Sequence, residues 1–79
     1  MYKSIVYYRD SKKKEFFPFF SAAGEDKDDL IFDADSEAHK ILRIGNHGNK
    51  RVYKESYYQI FEDKNLIQES DHFVNVANC

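Results

Sequence analysis

A proline flanked on both sides by pairs of phenylalanines is the feature that most restricts how this chain folds. The segment Phe16-Phe17-Pro18-Phe19-Phe20 has the aromatic content of a β-strand. Because proline has no N–H to donate to a neighbouring strand, we expect this strand to lie at a sheet edge or to carry a β-bulge. Adjacent strand residues point to opposite faces, so the four rings place apolar surface on both sides. One side can pack on a helix, and the other needs cover from a loop of the same chain or from another chain.

The segment before the phenylalanines predicts the partner strand of a hairpin. It is rich in β-branched and aromatic residues, and alternation places Val6 and Tyr8 on one face with Ile5 and Tyr7 on the other. Asp, Ser and Lys residues then supply turn chemistry. The predicted elements are a strand over residues 2–9, a turn over residues 10–13 and a strand over residues 14–20.

One helix is predicted in the middle of the chain. Candidate N-caps are Asp33, Asp35 and Ser36, and Glu37 lies in the first turn, where the helix dipole favours an acid. An apolar face follows at i, i+3, i+4 and i+7 spacing, comprising Ala38, Ile41, Leu42 and Gly45. Gly45 and Asn46 form the predicted C-cap.

The last third of the chain permits two interpretations. Residues 51–61 alternate well enough for a long strand, whereas Tyr53, Tyr57 and Ile60 would also line a helix face. The turn chemistry of residues 62–65 favours strands, because a hairpin turn would connect them to the apolar pair that follows. Residues 72–77 alternate again and predict a last strand.

The predicted fold is therefore α+β and forms a single domain over residues 1–79. An N-terminal β-hairpin, one helix and two to three C-terminal strands build a small antiparallel sheet, with the helix packed on one face. With a single helix, part of the other face of the sheet stays uncovered.

The compartment is predicted from what the chain lacks. Cys79 is its one cysteine, which rules out an internal disulfide and favours a reducing compartment. The opening apolar run is too short for a signal peptide, and no stretch approaches the ~20 apolar residues that span a bilayer. We expect a soluble, cytoplasmic protein with no membrane partner.

No catalytic or metal-binding motif is present. His39, His47 and His72 lack the spacing of a zinc site, and the acids of residues 26–35 lack the pattern of a calcium loop. The glycines of residues 45–49 follow a predicted helix, so they cannot present a helix N-terminus to phosphate. We expect no catalytic residues, no metal and no cofactor, and hence a protein that is not an enzyme.

Aromatic content leads to the first functional hypothesis, a non-enzymatic protein-binding module. Seven Phe and six Tyr exceed what a core this small needs, and exposed aromatics concentrate at contact surfaces. The predicted binding surface is an aromatic sheet face or edge comprising Phe17, Phe19, Tyr57 and Tyr58. Its partner would be another protein or a second copy of the chain, as a homodimer. Size and composition suit a small regulator or inhibitor, including the accessory proteins made by viruses of bacteria.

Charge is distributed unevenly along the chain, although the net charge is only −2. Seven acids fall within residues 25–37, and basic residues gather within residues 9–14 and 40–54. The acidic stretch could dock on a basic partner surface, where it would raise the association rate more than the affinity.

The alternative hypothesis is a single-stranded nucleic-acid-binding domain. Its predicted platform consists of Lys50, Arg51, Tyr53 and Lys54, with Tyr57 and Tyr58 as further stacking rings. Such platforms stack bases on aromatic rings and hold phosphates with cations. No RNP-type run or GXXG loop accompanies these residues, and the chain is net acidic. A small enzyme with a site at a dimer interface ranks third.

Overall fold

A computed structural model describes residues 1–43 and 53–76, and it contains one helix and five strands in one antiparallel sheet. The strands follow the order β2-β1-β3-β4. β5 also pairs directly with β3, at the beginning of that strand, whereas β4 pairs with its end. The predicted α+β class is confirmed, and so is the strand interpretation of residues 53–61. The elements are β1 (Tyr2–Arg9), β2 (Phe17–Gly24), α1 (Lys27–Ile41), β3 (Tyr53–Glu62), β4 (Asn65–Glu69) and β5 (Phe73–Val76).

The N-terminal hairpin places β2 at one edge of the sheet. Pro18 lies in this edge strand beside a register irregularity opposite Val6 and Tyr7, so both expectations for the proline are confirmed. The predicted bounds of the strand, residues 14–20, were wrong, because β2 runs from Phe17 to Gly24. Its small C-terminal residues pair regularly with β1, and this pairing overrides their low β-propensity.

The helix begins earlier than its sequence pattern predicts. The Asp26 side chain caps α1 by accepting hydrogen bonds from the backbone N–H groups of Asp28 and Asp29, at 3.0 and 3.3 Å. The predicted start at Asp33, Asp35 or Ser36 was therefore wrong. The helix gains an additional apolar turn in this way, and its buried face consists of Leu30, Ala34 and Ala38, followed by the buried C-cap residue Leu42. The predicted C-cap at residues 45 and 46 lies outside the described residues.

The core lies between α1 and one face of the sheet. Val6 and Ile60 are fully buried there against Ala34 and Ala38, and Tyr58 joins them. The hydroxyl of Ser56 donates a 2.7 Å hydrogen bond to the Ala38 carbonyl, which ties β3 to the helix. Even-numbered residues of β1 and β3 thus face the helix, so odd-numbered residues face away from it. No helix within residues 1–43 and 53–76 is long and apolar enough to cross a membrane.

Candidate functional site: the open face of the sheet

The open face, defined as the sheet face opposite α1, carries the odd-numbered residues of β1 and β3. Tyr7 pairs directly with Tyr57, and Arg9 pairs with Glu55, so two tyrosines and an ion pair meet across neighbouring strands. Val74 of β5 pairs with Glu55 and is 53% exposed on the same face. The face therefore combines aromatic, charged and exposed apolar side chains.

Glu55 is the buried centre of this face. Glu55 is only 6% exposed, and its carboxylate oxygens accept hydrogen bonds from three side chains. Arg9 donates to Oε1 through Nε at 2.9 Å and through Nη2 at 2.6 Å. The Tyr53 hydroxyl donates to Oε1 at 2.5 Å, and His72 Nδ1 lies 2.5 Å from Oε2. We call these four residues the Glu55 cluster.

The cluster holds Glu55 as a carboxylate. Burial alone would raise its pKa, but the hydrogen bonds from Tyr53, His72 and Arg9, together with the charge of Arg9, outweigh burial and lower the pKa to about 2. The same bonds raise the pKa of Tyr53 and that of Arg9. Because both oxygens are occupied, the carboxylate serves as an anchor for its neighbours and is a poor candidate for a base or a nucleophile.

Aromatic rings are stacked across the open face beside this anchor. Tyr57 stacks on Tyr7 at 5.0 Å and on His72 at 4.4 Å between ring centroids. Phe16, from the loop before β2, packs edge-on against both Tyr57 and His72, at 4.8 and 5.3 Å. The Arg9 guanidinium lies 4.4 Å from the centre of the Phe16 ring. We call Tyr7, Phe16, Tyr57 and His72 the ring row.

The Glu55 cluster and the ring row share His72, and Arg9 joins them through Phe16. Glu55 therefore fixes one end of the row by hydrogen bonds, while strand pairing fixes Tyr7 and Tyr57. Phe16 of the phenylalanine segment folds over part of the open face, beside Tyr57 and His72. The remainder of this face has no helix over it in the part of the chain that is described.

The four predicted partner-binding residues do not form one surface. Tyr57 lies in the ring row, but Tyr58 is 7% exposed and belongs to the core under α1. Phe17 and Phe19 pack edge-on against Tyr8, at 5.5 and 6.1 Å. Phe17 remains 48% exposed at the edge strand, whereas Phe19 packs against the core. Alternation along β3 separates the two adjacent tyrosines.

The predicted nucleic-acid platform is also divided. Lys54 is buried, and its Nζ lies 3.4 Å from the Ile41 carbonyl, so its charge is directed towards the helix end. The Tyr53 hydroxyl is bound to Glu55, and Lys12 Nζ lies 5.5 Å from the centre of the Tyr53 ring. Lys50 and Arg51 lie outside the described residues. Both flat faces of the Tyr57 ring are covered by neighbouring rings, which leaves none for a base to stack on.

Sequence reasoning missed the partnership of Arg9, Glu55 and His72. The available signal was parity, since Arg9 alternates with Val6 and Tyr8 in β1, and Glu55 occupies the parity opposite to Tyr58 and Ile60 in β3. No group of three metal-ligating side chains occurs within residues 1–43 and 53–76. Comparison with known protein families, curated proteins and solved structures finds no match to this chain.

Proposed function

We propose that this protein is a non-enzymatic protein-binding module that binds its partner on the open face. The observation that carries the proposal is the ring row, in which His72 is bound to the buried Glu55 carboxylate and stacks on Tyr57. Rigid aromatic side chains contribute contact area at low entropic cost, and Tyr and Arg are enriched among the residues that dominate binding energy.

The chemistry of this face suits a protein better than a nucleic acid. Tyr57 already stacks on both Tyr7 and His72, and Phe16 packs against Tyr57, whereas base stacking needs a free ring face. The Arg9 charge is already paired with Glu55, which reduces its value for holding phosphate. Exposed apolar side chains on this face, Val74 at 53% and Leu66 at 50%, extend the contact area on either side of the row.

The proposed role of a small regulator or inhibitor rests on the chain's length and aromatic composition. The accessory proteins of bacterial viruses are one group with these properties, and that suggestion rests on length and composition. A single cysteine supports a reducing, cytoplasmic setting for the interaction.

The test is affinity capture from source-cell lysate, with nuclease and across a salt series, followed by binding measurements with the purified partner. Wild type is compared with Val74→Arg and Leu66→Arg, which add charge to exposed positions of the open face. The matched control is Phe32→Arg, because Phe32 is 72% exposed on α1, away from this face. Tyr7→Ala then removes one ring of the row.

We expect capture of the partner to persist after nuclease treatment. The partner should bind the control variant as tightly as it binds wild type. The two arginine variants and Tyr7→Ala should each weaken binding by about tenfold or more, because buried contacts at a binding centre contribute about 1–2 kcal/mol or more. Equal binding by all variants, or recovery of nucleic acid alone, would rule out the open face as a protein-binding surface.

A further inference from the structure

We propose that two copies of this chain associate edge to edge through β2, forming an antiparallel pair about a two-fold axis at Ala22. β2 ends the strand order, and within the described residues it pairs with β1 alone. Its outward backbone N–H and C=O groups therefore face no strand of the described chain. This surface is separate from the open face, so the inference stands independently of the function proposed above.

The C-terminal part of β2 lacks the features that normally protect a sheet edge. Natural edges are blunted by charged side chains, proline or bulges. Here Pro18 and the register irregularity protect only the first residues of the strand. Residues 20–24 pair regularly with β1, carry no charge and expose Ser21 and Ala23. This stretch is therefore available for pairing with another strand.

The opposite edge of the sheet is better protected. It is divided between β4, of five residues with an irregular register, and β5, of four residues. Polar side chains occupy three positions of β4, namely Asn65, Gln68 and Glu69. Edge pairing is consequently expected at β2, whose eight residues form the longer continuous edge.

Self-pairing is favoured by the sizes of the side chains in β2. An axis at Ala22 places Phe20 opposite Gly24 of the second copy, and Ser21 opposite Ala23 of the second copy. Each large residue then faces a small one, and no like charges meet along the pair. The contact is isologous, so it closes as a dimer and does not propagate into a fibre.

The first test is sedimentation velocity of the full chain from micromolar to millimolar concentration. We expect a dimer whose population rises with protein concentration. The double variant Ser21→Lys, Ala23→Lys should raise the dissociation constant about tenfold or more, because it places lysines opposite one another. The matched control is Ile67→Lys, at a position of β4 that is 43% exposed, and it should leave the constant unchanged.

The second test locates the axis and does not depend on how the lysine variants fold. In a Cys79→Ser background, Ala22→Cys should form a disulfide-linked dimer under mild oxidation, because the two cysteines meet at the axis. Ile67→Cys in the same background should remain a monomer. A wild-type chain that stays monomeric at millimolar concentration overturns the proposal. The proposal is also overturned if Ile67→Lys disrupts the dimer while the double lysine variant preserves it. Crosslinking through a cysteine at position 67 but not at position 22 would overturn it as well.

Discussion

Replacement of Glu55 by glutamine tests the central claim about the open face, namely that an ionised, buried carboxylate anchors it. The substitution keeps the size and shape of the side chain but removes its charge. Arg9, whose guanidinium bonds Oε1 through two nitrogens, would lose its charged partner in a partly buried setting. Breaking a fully buried pair by removing one partner costs about 3–5 kcal/mol, and because the Arg9 side chain is 22% exposed we expect a cost at or below the lower end of that range.

The pKa of Glu55 gives a second route to the magnitude. This pKa falls from 4.5 to about 2 on folding. Because one pKa unit corresponds to about 1.4 kcal/mol, the ionised carboxylate contributes about 3 kcal/mol to the free energy of unfolding at neutral pH. Because the folded state favours the carboxylate, the unfolded chain takes up the proton first. The contribution is complete above about pH 4.5 and is lost as the pH falls towards 2.

The assay is urea denaturation followed by circular dichroism, repeated at a series of pH values between 2 and 7. A chain of this length has a free energy of unfolding of about 4–12 kcal/mol, so Glu55→Gln should remove a large part of it. The variant should also lose less stability than wild type on acidification. Glu69→Gln is the matched control, because Glu69 is exposed and its bond to Gln59 lies at the surface; it should cost less than about 1 kcal/mol. If Glu55→Gln matched the control in both stability and pH dependence, the anchor would be refuted.

Substitutions at three further positions test the helix and the core by urea denaturation at neutral pH. Asp26→Ala should cost about 1 kcal/mol because it removes the N-cap of α1, and Asp26→Asn should restore most of it; an unaffected Asp26→Ala protein would contradict the assigned helix start. Ser56→Ala should cost about 1–2 kcal/mol, since the fully buried hydroxyl donates to Ala38. Ser4→Ala should be neutral or stabilising by up to about 1 kcal/mol, because Ser4 Oγ is equally buried and has no hydrogen-bond partner within the described residues; equal losses at both serines would argue against this distinction.

Local chemistry in the sequence was sufficient to predict a small antiparallel sheet with an N-terminal hairpin, but not the bounds of β2 or the order of the strands. Alternation in β1 and β3 is a covalent property of the extended chain, and it assigns residues to faces before any packing is known. Pro18 lacks an N–H in every environment, so its edge position and the irregularity beside it follow from residue type. The separation of Tyr57 from Tyr58 follows from the same parity, once residues 53–61 are taken as a strand.

Tertiary packing decided where the helix begins. Asp26, Asp33, Asp35 and Ser36 are all chemically suited to cap a helix, so local chemistry leaves the start open. Burial of Leu30 in line with Ala34 and Ala38 selects Asp26, because an earlier start adds an apolar turn to the face that packs on the sheet. The stabilisation comes from contacts with β1 and β3, which are remote from the cap in sequence.

The Glu55 cluster likewise depended on tertiary structure. Arg9 lies 46 residues from Glu55, and His72 lies 17 residues beyond it. A glutamate in a strand is ordinarily exposed, and only the register of β1 with β3 and the approach of the segment before β5 remove this one from water. The sequence determined which side chains share the open face, whereas the register and the covering segments determined which of them are buried, paired and held rigid, because these depend on contacts between residues far apart in the chain.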